Sequence, residues 1–225
     1  MRVLVLTGDQ PRHQYLVRRL LDHEHEVVAY TIPRARLNPA GPAMAEYYRR
    51  LVDAEAEIFP DRCRPVQCVN DIEAAVDWAE RILVFGYRYI REPLLGRLMA
   101  KGAMNIHAGV APEYRGSACN FWADYHGRPD LVGVTLHDLT AAIDGGPILQ
   151  RLRPLVLRGG NPWQRGLAVL KTALDFIARE EIEAPSPAVP QDPGQHLHYS
   201  RHADFTEAVC AEYLARQPAE VAAWR

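Results

Sequence analysis

The chain has 225 residues, 48% of them hydrophobic and 24% charged, and a formal net charge of −2. That length and composition are typical of one soluble globular domain with an appendage. A charge so close to zero argues against a polyanion-binding surface over the whole fold, so no nucleic-acid partner is expected. The sequence has no apolar run of membrane length, and no cleavable signal precedes its first apolar stretch. It therefore predicts a cytoplasmic protein without a membrane partner.

Hydrophobic patterning predicts alternating strands and helices from the N-terminus. Residues 3–7 form an apolar, β-branched run typical of a buried parallel strand, and residues 26–32 form a second strand. Between them, apolar residues recur at helical spacing, with Asp9 as the expected helix N-cap and Pro11 in the first turn. This order is a βαβ unit with a right-handed crossover.

The turn after the first strand reads GDQPRH over residues 8–13. It lacks the GxGxxG pattern that lets a backbone approach a dinucleotide pyrophosphate, which argues against a nicotinamide dehydrogenase. Arg12 and His13 leave two interpretations open. They contact an anion near the start of the helix, or they are solvated side chains whose charge complements the helix dipole.

Similar patterns continue to residue 182 and predict an α/β, Rossmann-like fold, in which a mostly parallel twisted sheet carries helices on both faces. Asn161 and Pro162 are the expected N-cap and first residue of the last helix of this part. The further strands are expected at 66–69, 82–86, 103–106, 132–137 and about 150–157, and the helices at 43–59, 72–79, 93–100, 117–126 and 163–181.

A change of composition marks the C-terminal part. Prolines cluster after residue 184, as in a linker, so we expect a core domain at 1–182 and a Pro-rich linker with a short α/β tail at 183–225. The tail histidines His196, His198 and His202 leave a metal site or a solvated β-like segment open; we favour the second and expect no metal. The four cysteines form no CxxC pair and are expected to be reduced thiols.

The middle of the chain carries the candidate chemistry. Asn105 and His107 end the strand at 103–106, and Asp144 lies in the loop after the strand at 132–137. Taken singly, these residues are a turn former, a helix cap and part of an ordinary Asp-Gly-Gly turn. Open α/β sheets place their chemistry in loops at strand ends. We therefore expect the two loops to meet at one edge of the sheet and to bring an amide, an imidazole and a carboxylate into one pocket.

This stretch contains four ordered blocks, which are Asn105-Ile106-His107, Pro112-Glu113-Tyr114-Arg115-Gly116, Gly133-Val134-Thr135-Leu136-His137 and Asp144-Gly145-Gly146-Pro147-Ile148-Leu149-Gln150. In this order they resemble the signature of the N10-formyltetrahydrofolate-dependent formyltransferases. The resemblance extends more weakly over residues 1–182 and implies a Rossmann-like formyltransferase core that uses N10-formyltetrahydrofolate as the formyl donor.

The resemblance also implies roles for the site residues. His107, protonated or nearly so, would donate to the developing oxyanion, and Asn105 would orient the formyl oxygen or the incoming amine. Asp144 would pair with His107, raise its pKa and pass the proton through water. Thr135 and His137 would either support this site or only pack. The implied cofactor-binding residues, for which loop packing is the alternative at Tyr87 and Tyr89, are Phe85, Gly86, Tyr87, Arg88, Tyr89, Ile90 and Ile143.

The resemblance also bears on the acceptor. The chain lacks the phosphate loop of the glycinamide ribonucleotide enzymes, and its tail is too short for the barrel of methionyl-tRNA formyltransferases. It looks most like the sugar N-formyltransferases, whose acceptor is a nucleotide-linked amino sugar. The alternatives are another small amine, such as an amino acid, a siderophore precursor or a methionyl-tRNA-like acceptor; a formyltetrahydrofolate hydrolase, disfavoured because the core begins at residue 1; and a non-catalytic folate- or nucleotide-binding module. A homodimer with contacts in the tail is also expected.

Overall fold

The computed structural model describes residues 1–33, 38–60, 71–153, 161–179 and 188–217. Strands and helices alternate along most of this length, as the sequence predicts. The strands are β1 (Arg2–Gly8), β2 (Glu26–Ile32), β3 (Arg81–Phe85), β4 (Met104–His107), β5 (Tyr114–Gly116), β6 (Val134–Asp138), β7 (Ile148–Leu152) and β8 (His198–Ser200). The helices are α1 (Pro11–Asp22), α2 (Pro42–Ile58), α3 (Ile72–Trp78), α4 (Leu94–Ala100), α5 (Cys119–Tyr125), α6 (Pro162–Arg179) and α7 (Glu207–Arg216).

A six-stranded sheet in the order β2-β1-β3-β4-β6-β7 forms the centre of the fold. Neighbours among the first four strands pair in parallel, whereas β6 is antiparallel to both β4 and β7. Side chains alternate between the two faces of a strand. Val3 and Val5 of β1 therefore pack under α1, α2 and α6, while Leu4 and Leu6 pack under α3 and α4. The predicted α/β fold, with helices on both faces of a mostly parallel sheet, is confirmed.

Helix α1 is capped differently from the prediction. Its N-cap is Gln10 rather than Asp9, and no side chain of the cap accepts a hydrogen bond. The carboxylate of Glu55, buried on α2, instead accepts hydrogen bonds from the Arg12 main-chain N–H at 3.3 Å and from its guanidinium at 2.8 Å. A residue distant in sequence thus accepts a hydrogen bond from a main-chain N–H group of the first helical turn.

The start of α6 agrees with the prediction. The Asn161 side chain accepts from the main-chain N–H of Gln164 at 2.8 Å, and the Gln164 side chain accepts from the Asn161 N–H at 3.1 Å. Three other predictions lie outside the described residues: the strand at 66–69, the continuation of the strand to residue 157, and the domain boundary between 182 and 183. No helix in the described part of the chain is long and apolar enough to cross a membrane.

The described part of the tail, residues 188–217, lies against the core. Strand β8 pairs in parallel with β5, and α7 packs on α2. The carboxylate of Glu207 accepts hydrogen bonds from the main-chain N–H groups of Ala43 and Met44, both at 2.8 Å, and so caps α2. His196 bonds the carbonyl oxygen of Pro112, and His198 packs on Trp122. Within the described ranges, no group of three or more His, Cys, Asp or Glu side chains could hold a metal ion.

Candidate active site

Strands β4 and β6 place four polar side chains on one face of the sheet. In their antiparallel register, Asn105 lies opposite His137, and His107 lies opposite Thr135. Because side chains alternate along a strand, the Asn-x-His and Thr-x-His pairs share a face. His107, Thr135 and His137 are buried, at 6%, 0% and 1% exposure, so these three side chains are largely removed from bulk water.

The Asp144 loop reaches this face by folding back on itself. The sequence predicted that the loops carrying His107 and Asp144 meet because both follow strand ends, and this reason is wrong. Since β4 and β6 are antiparallel, the two loops leave opposite ends of the pair. The loop from residue 139 to 147 bends back across the strands. It places Asp144 Oδ1 at 3.2 Å from Nδ2 of Asn105 and Asp144 Oδ2 at 3.4 Å from Nδ1 of His107.

Two residues of the predicted motif blocks, Arg115 and Gly116, hold this loop in place. Arg115 donates from Nε and Nη2 to the carbonyl oxygen of Ile143, at 3.1 and 2.5 Å. The main-chain N–H of Gly116 donates to Asp144 Oδ2 at 3.0 Å. Gly116 has a φ of +96°, and a Cβ atom there would collide with the carbonyl of Ser200, so this position requires glycine.

Hydrogen bonds define which end of Asn105 is available. Nδ1 of His137 lies 2.8 Å from the carbonyl oxygen of Asp138, which can only accept, so Nε2 of the neutral ring is an acceptor. Nδ2 of Asn105 donates to that Nε2 at 3.0 Å and to Asp144 Oδ1 at 3.2 Å. Both amide hydrogens are therefore used, and Asn105 offers its carbonyl oxygen, a hydrogen-bond acceptor, to a ligand.

The same reasoning assigns the tautomer of His107. Its Nε2 lies 3.0 Å from the carbonyl oxygen of Tyr114, so Nε2 carries the proton and donates it. In the neutral ring, Nδ1 then carries a lone pair beside Asp144. Once protonated, this imidazolium would hydrogen bond the Tyr114 carbonyl on one side and the Asp144 carboxylate on the other. His107 is thus built to accept a proton at Nδ1.

Burial sets the charge of His107 in the free protein. Burial lowers the His107 pKa, and this effect exceeds the opposing effect of the Asp144 charge, which raises it. The sequence led us to expect a ring protonated or nearly so; the structure instead favours the neutral form near pH 7. Burial alone would raise the Asp144 pKa, but the positive charge that His107 can carry and the hydrogen bond from the Gly116 main-chain N–H contribute to lowering it to about 2.

Two cavities meet at His107. The smaller, of about 570 Å³, lies between the loop after β3 and the Asp144 loop and is lined by Asn105, His107 and Asp144. All seven residues predicted to bind the cofactor line it: Phe85, Gly86, Tyr87, Arg88, Tyr89, Ile90 and Ile143. The larger cavity, of about 950 Å³, is also lined by His107 and extends to Asn120.

The smaller cavity suits a flat ligand rich in amide groups. No hydrogen bond to another described residue engages the main-chain N–H groups of residues 87–90. Gly86, at a φ of +63°, lies so close to the His13 ring that a Cβ atom would collide with it. The backbone therefore lines the wall directly. A pterin ring, which needs main-chain donors and acceptors beside apolar contacts, fits this slot, with Leu95 and Leu139 among its apolar walls.

Six aromatic rings line the larger cavity, and the sequence did not predict that they come together. Its polar groups include Arg12, Asp124 and Arg165. Five of the rings lie on α2, α5, α6 and α7, and the sixth, that of Phe205, lies two residues before α7. These elements are far apart in sequence, and only Tyr47 and Tyr48 are neighbours along the chain. The aromatic lining residues are Tyr47, Tyr48, Phe121, Trp163, Phe205 and Tyr213.

Several solved structures of other proteins share the fold of this chain. A formyltransferase PseJ from Anoxybacillus kamchatkensis, solved with UDP-4,6-dideoxy-4-formamido-L-AltNAc and tetrahydrofolate, is 18% identical (TM-score 0.54), with 98% of this chain and 94% of that chain covered. A sugar N-formyltransferase from a Shewanella species is 16% identical, with a TM-score of 0.59 and with 100% of this chain and 83% of that chain covered. An N-formyltransferase from Helicobacter canadensis, solved with folinic acid and dTDP-3-aminofucose, is 14% identical, with a TM-score of 0.60 and with 92% of this chain and 73% of that chain covered.

At these identities the structural likeness shows a common fold. The family is shown by sequence: the profile of the family described as formyl transferase matches residues 1–162, most of the 225-residue chain. That segment includes β1–β7 and all three predicted catalytic residues. This chain therefore belongs to the formyl transferase family.

Proposed function

We propose that this protein transfers the formyl group of N10-formyltetrahydrofolate to the primary amine of a nucleotide-linked amino sugar. The observation that carries the proposal is the position of His107, which lies where the two cavities meet and contacts Asp144. A transfer reaction needs two ligands that share one reacting centre, and two cavities that open onto one imidazole fit that need.

The donor would occupy the smaller cavity. N10-formyltetrahydrofolate supplies an activated formyl carbon when it is bound. The unengaged main chain of residues 87–90 would bind the pterin edge, and Ile143 would cover the ring from the Asp144 loop. Tyr89 and Ile143 are 62% and 43% exposed, which is consistent with surfaces that a ligand covers.

The catalytic residues would act on the acceptor amine. The carbonyl oxygen of Asn105 would accept a hydrogen bond from the amine and so orient its lone pair. His107 would take a proton from the amine at Nδ1, which carries the lone pair in the assigned tautomer, as the amine nitrogen bonds to the formyl carbon. It would return this proton to the donor nitrogen as the bond from that nitrogen to the formyl carbon breaks. Asp144 has a pKa of about 2 and is therefore ionised near neutral pH, so its carboxylate would stabilise the imidazolium form of His107.

The larger cavity would hold the acceptor. Its aromatic rings suit the flat base and the apolar face of a deoxysugar, and its cationic groups Arg12 and Arg165 suit a diphosphate. The ligands of two structural relatives, a UDP-linked formamido sugar and dTDP-3-aminofucose, belong to this chemical class. Arg12 already pairs with Glu55 at 2.8 Å, so a phosphate would share this guanidinium with the protein.

The test is a transfer assay with N10-formyltetrahydrofolate and a panel of amines. UDP- and dTDP-linked amino sugars should release tetrahydrofolate and yield a formamido product by mass spectrometry. Glycinamide ribonucleotide, amino acids and a reaction without amine serve as comparators. His107→Asn should abolish turnover yet retain binding of folinic acid. Turnover of the donor without any amine would instead indicate a hydrolase, and absence of both turnover and folate binding would overturn the proposal.

Two finer proposals accompany this one. The homodimer is tested by light scattering of the purified protein, and the cytoplasmic location by fractionation of cells that produce it. Neither is needed for the transfer reaction described above.

A further inference from the structure

Gln191, in the tail, is hydrogen bonded to the loop that carries Asp144. Its Nε2 donates to the main-chain carbonyl oxygens of Asp144 and Gly146, both at 2.8 Å. Only the NH2 end of a side-chain amide can satisfy two carbonyls at once, so the orientation of the side chain is fixed. Gln191 lies outside the segment that the family profile matches, residues 1–162. Its contact with the loop is therefore a feature of this chain's tail.

The Asp144 loop needs such support because its backbone is strained. Asp144 has a φ of +48°, in the left-handed region that residues other than glycine rarely adopt. Arg115 on β5 binds the carbonyl of Ile143. Gln191 in the tail binds the next carbonyl, that of Asp144 itself. The two side chains therefore hold the peptide groups on either side of the strained residue.

The tail also supports the group that binds the Asp144 carboxylate. Gly116 donates its main-chain N–H to Asp144 Oδ2, and Gly116 pairs with Ser200 in the β5–β8 ladder. Val189 forms a two-bond bridge with Ile148, with N···O distances of 2.7 and 2.9 Å, and this bridge fixes the tail just before Gln191. The tail segment 188–200 thus contacts the backbone around Asp144 directly, and its carboxylate only through Gly116.

We propose that Gln191 is a positioning residue that keeps the Asp144 carboxylate beside Nδ1 of His107. The expected effect of Gln191 on the rate of formyl transfer rests on the proposed function, whereas its expected effect on the titration of His107 does not. The charge of Asp144 raises the His107 pKa. If the loop relaxes, the carboxylate moves away, and His107 should then titrate at a lower pH and hold a proton less well.

The test compares Gln191→Met, which keeps the length of the side chain and removes both hydrogen bonds, with Gln195→Ala. Gln195 is exposed in the same tail segment and is the matched control. For Gln191→Met we expect kcat to fall about tenfold to a hundredfold, as small misplacements of catalytic groups do, while both KM values change less than about twofold. The acid limb of the kcat profile should move to lower pH. Gln195→Ala should change none of these quantities.

Histidine NMR gives a readout that does not depend on turnover. The His107 resonance, assigned by its loss in His107→Asn, should titrate at a lower pH in Gln191→Met than in the wild type. An unchanged His107 titration in a folded Gln191→Met protein would overturn the inference, even if formyl transfer is established. If the wild type transfers no formyl group, the proposed function fails, and the titration still decides the role of Gln191. Should Gln191→Met not fold, Gln191→Asn, which shortens the reach of the amide, allows the same comparison with a smaller expected change.

Discussion

Nδ1 of His107 lies 3.4 Å from Oδ2 of Asp144, although His107 ends β4 and the Asp144 loop leaves the opposite end of the antiparallel pair β4–β6. The contact exists because the loop at 139–147 folds back over the sheet and is held there by Arg115, Gly116 and Gln191. The Asp144 carboxylate is therefore fixed by tertiary contacts more than by its own strand.

Removing the charge of Asp144 should impair catalysis far more than folding. Asp144→Asn keeps the shape of the side chain but no longer stabilises a protonated His107, so kcat should fall about 10²- to 10⁴-fold. The measurement is steady-state formyl transfer, with circular dichroism to verify the fold. Asp138→Asn, the same substitution at the end of β6, is the control and should stay within about twofold of wild type. Comparable losses in both variants would argue against a specific role for Asp144.

Acid should destabilise the protein in two separate ranges. The His107 pKa in the folded state lies below its ordinary value of 6.5, so below about pH 6.5 the unfolded chain binds more protons and the free energy of unfolding falls. The Asp144 pKa falls from 3.8 to about 2 on folding, so its contribution is lost between about pH 4 and 2.

Urea unfolding at pH 7.5 and 5.0 tests the first range. The drop in unfolding free energy should be smaller in His107→Asn than in wild type. It should not vanish, because burial also lowers the pKa of His126 and His198. His202→Asn, at an exposed position, should behave as wild type. A drop of equal size in His107→Asn would contradict the low His107 pKa.

Thr135 should matter through the loop that follows His107. Its buried hydroxyl accepts from the Ala111 N–H at 3.0 Å and donates to the Gly109 carbonyl at 2.8 Å. Thr135→Val leaves both groups buried without their partner, which should cost about 1–3 kcal/mol of unfolding free energy in urea titrations and lower kcat. Thr135→Ser keeps the hydroxyl and should recover most of the activity. If serine rescues nothing, packing of the methyl group, not the hydrogen bonds, is what matters.

Two tyrosines of the larger cavity should behave differently. The Tyr47 hydroxyl has no hydrogen-bond partner among the described residues, and its ring lines the cavity. Tyr47→Phe should therefore leave the unfolding free energy within about 0.5 kcal/mol of wild type. The acceptor KM should rise about fivefold, equivalent to about 1 kcal/mol for one hydrogen bond. The donor KM should not change.

Tyr213→Phe is the matched comparison for Tyr47→Phe. The Tyr213 hydroxyl donates to Asp124 at 2.7 Å, so its removal should lower the unfolding free energy by about 1.5–3 kcal/mol. An unchanged acceptor KM in Tyr47→Phe would place the acceptor elsewhere than in this cavity.

Local sequence determined much of the fold and the identity of the candidate site residues. The strand at 26–32 was predicted with its observed bounds, and the Asn161 cap of α6 was predicted correctly, because strand runs and helix caps are encoded within a few residues. Asn105 and His107 share a face for the same local reason: they are two residues apart on one strand. Their catalytic roles stay predictions until the variants above are measured.

The tertiary structure alone decided how those residues interact. The antiparallel register opposite β4, the capping of α1 by Glu55 and the contact of Gln191 with the Asp144 loop all join residues at least 28 positions apart. Spacing along the chain does not encode such pairings. The charge state of His107 also depends on burial, which removes water from around the ring and lowers its pKa despite the nearby carboxylate. Burial is a property of the packed fold. The sequence therefore identified His107 as a candidate site residue, whereas its protonation state depends on the tertiary structure.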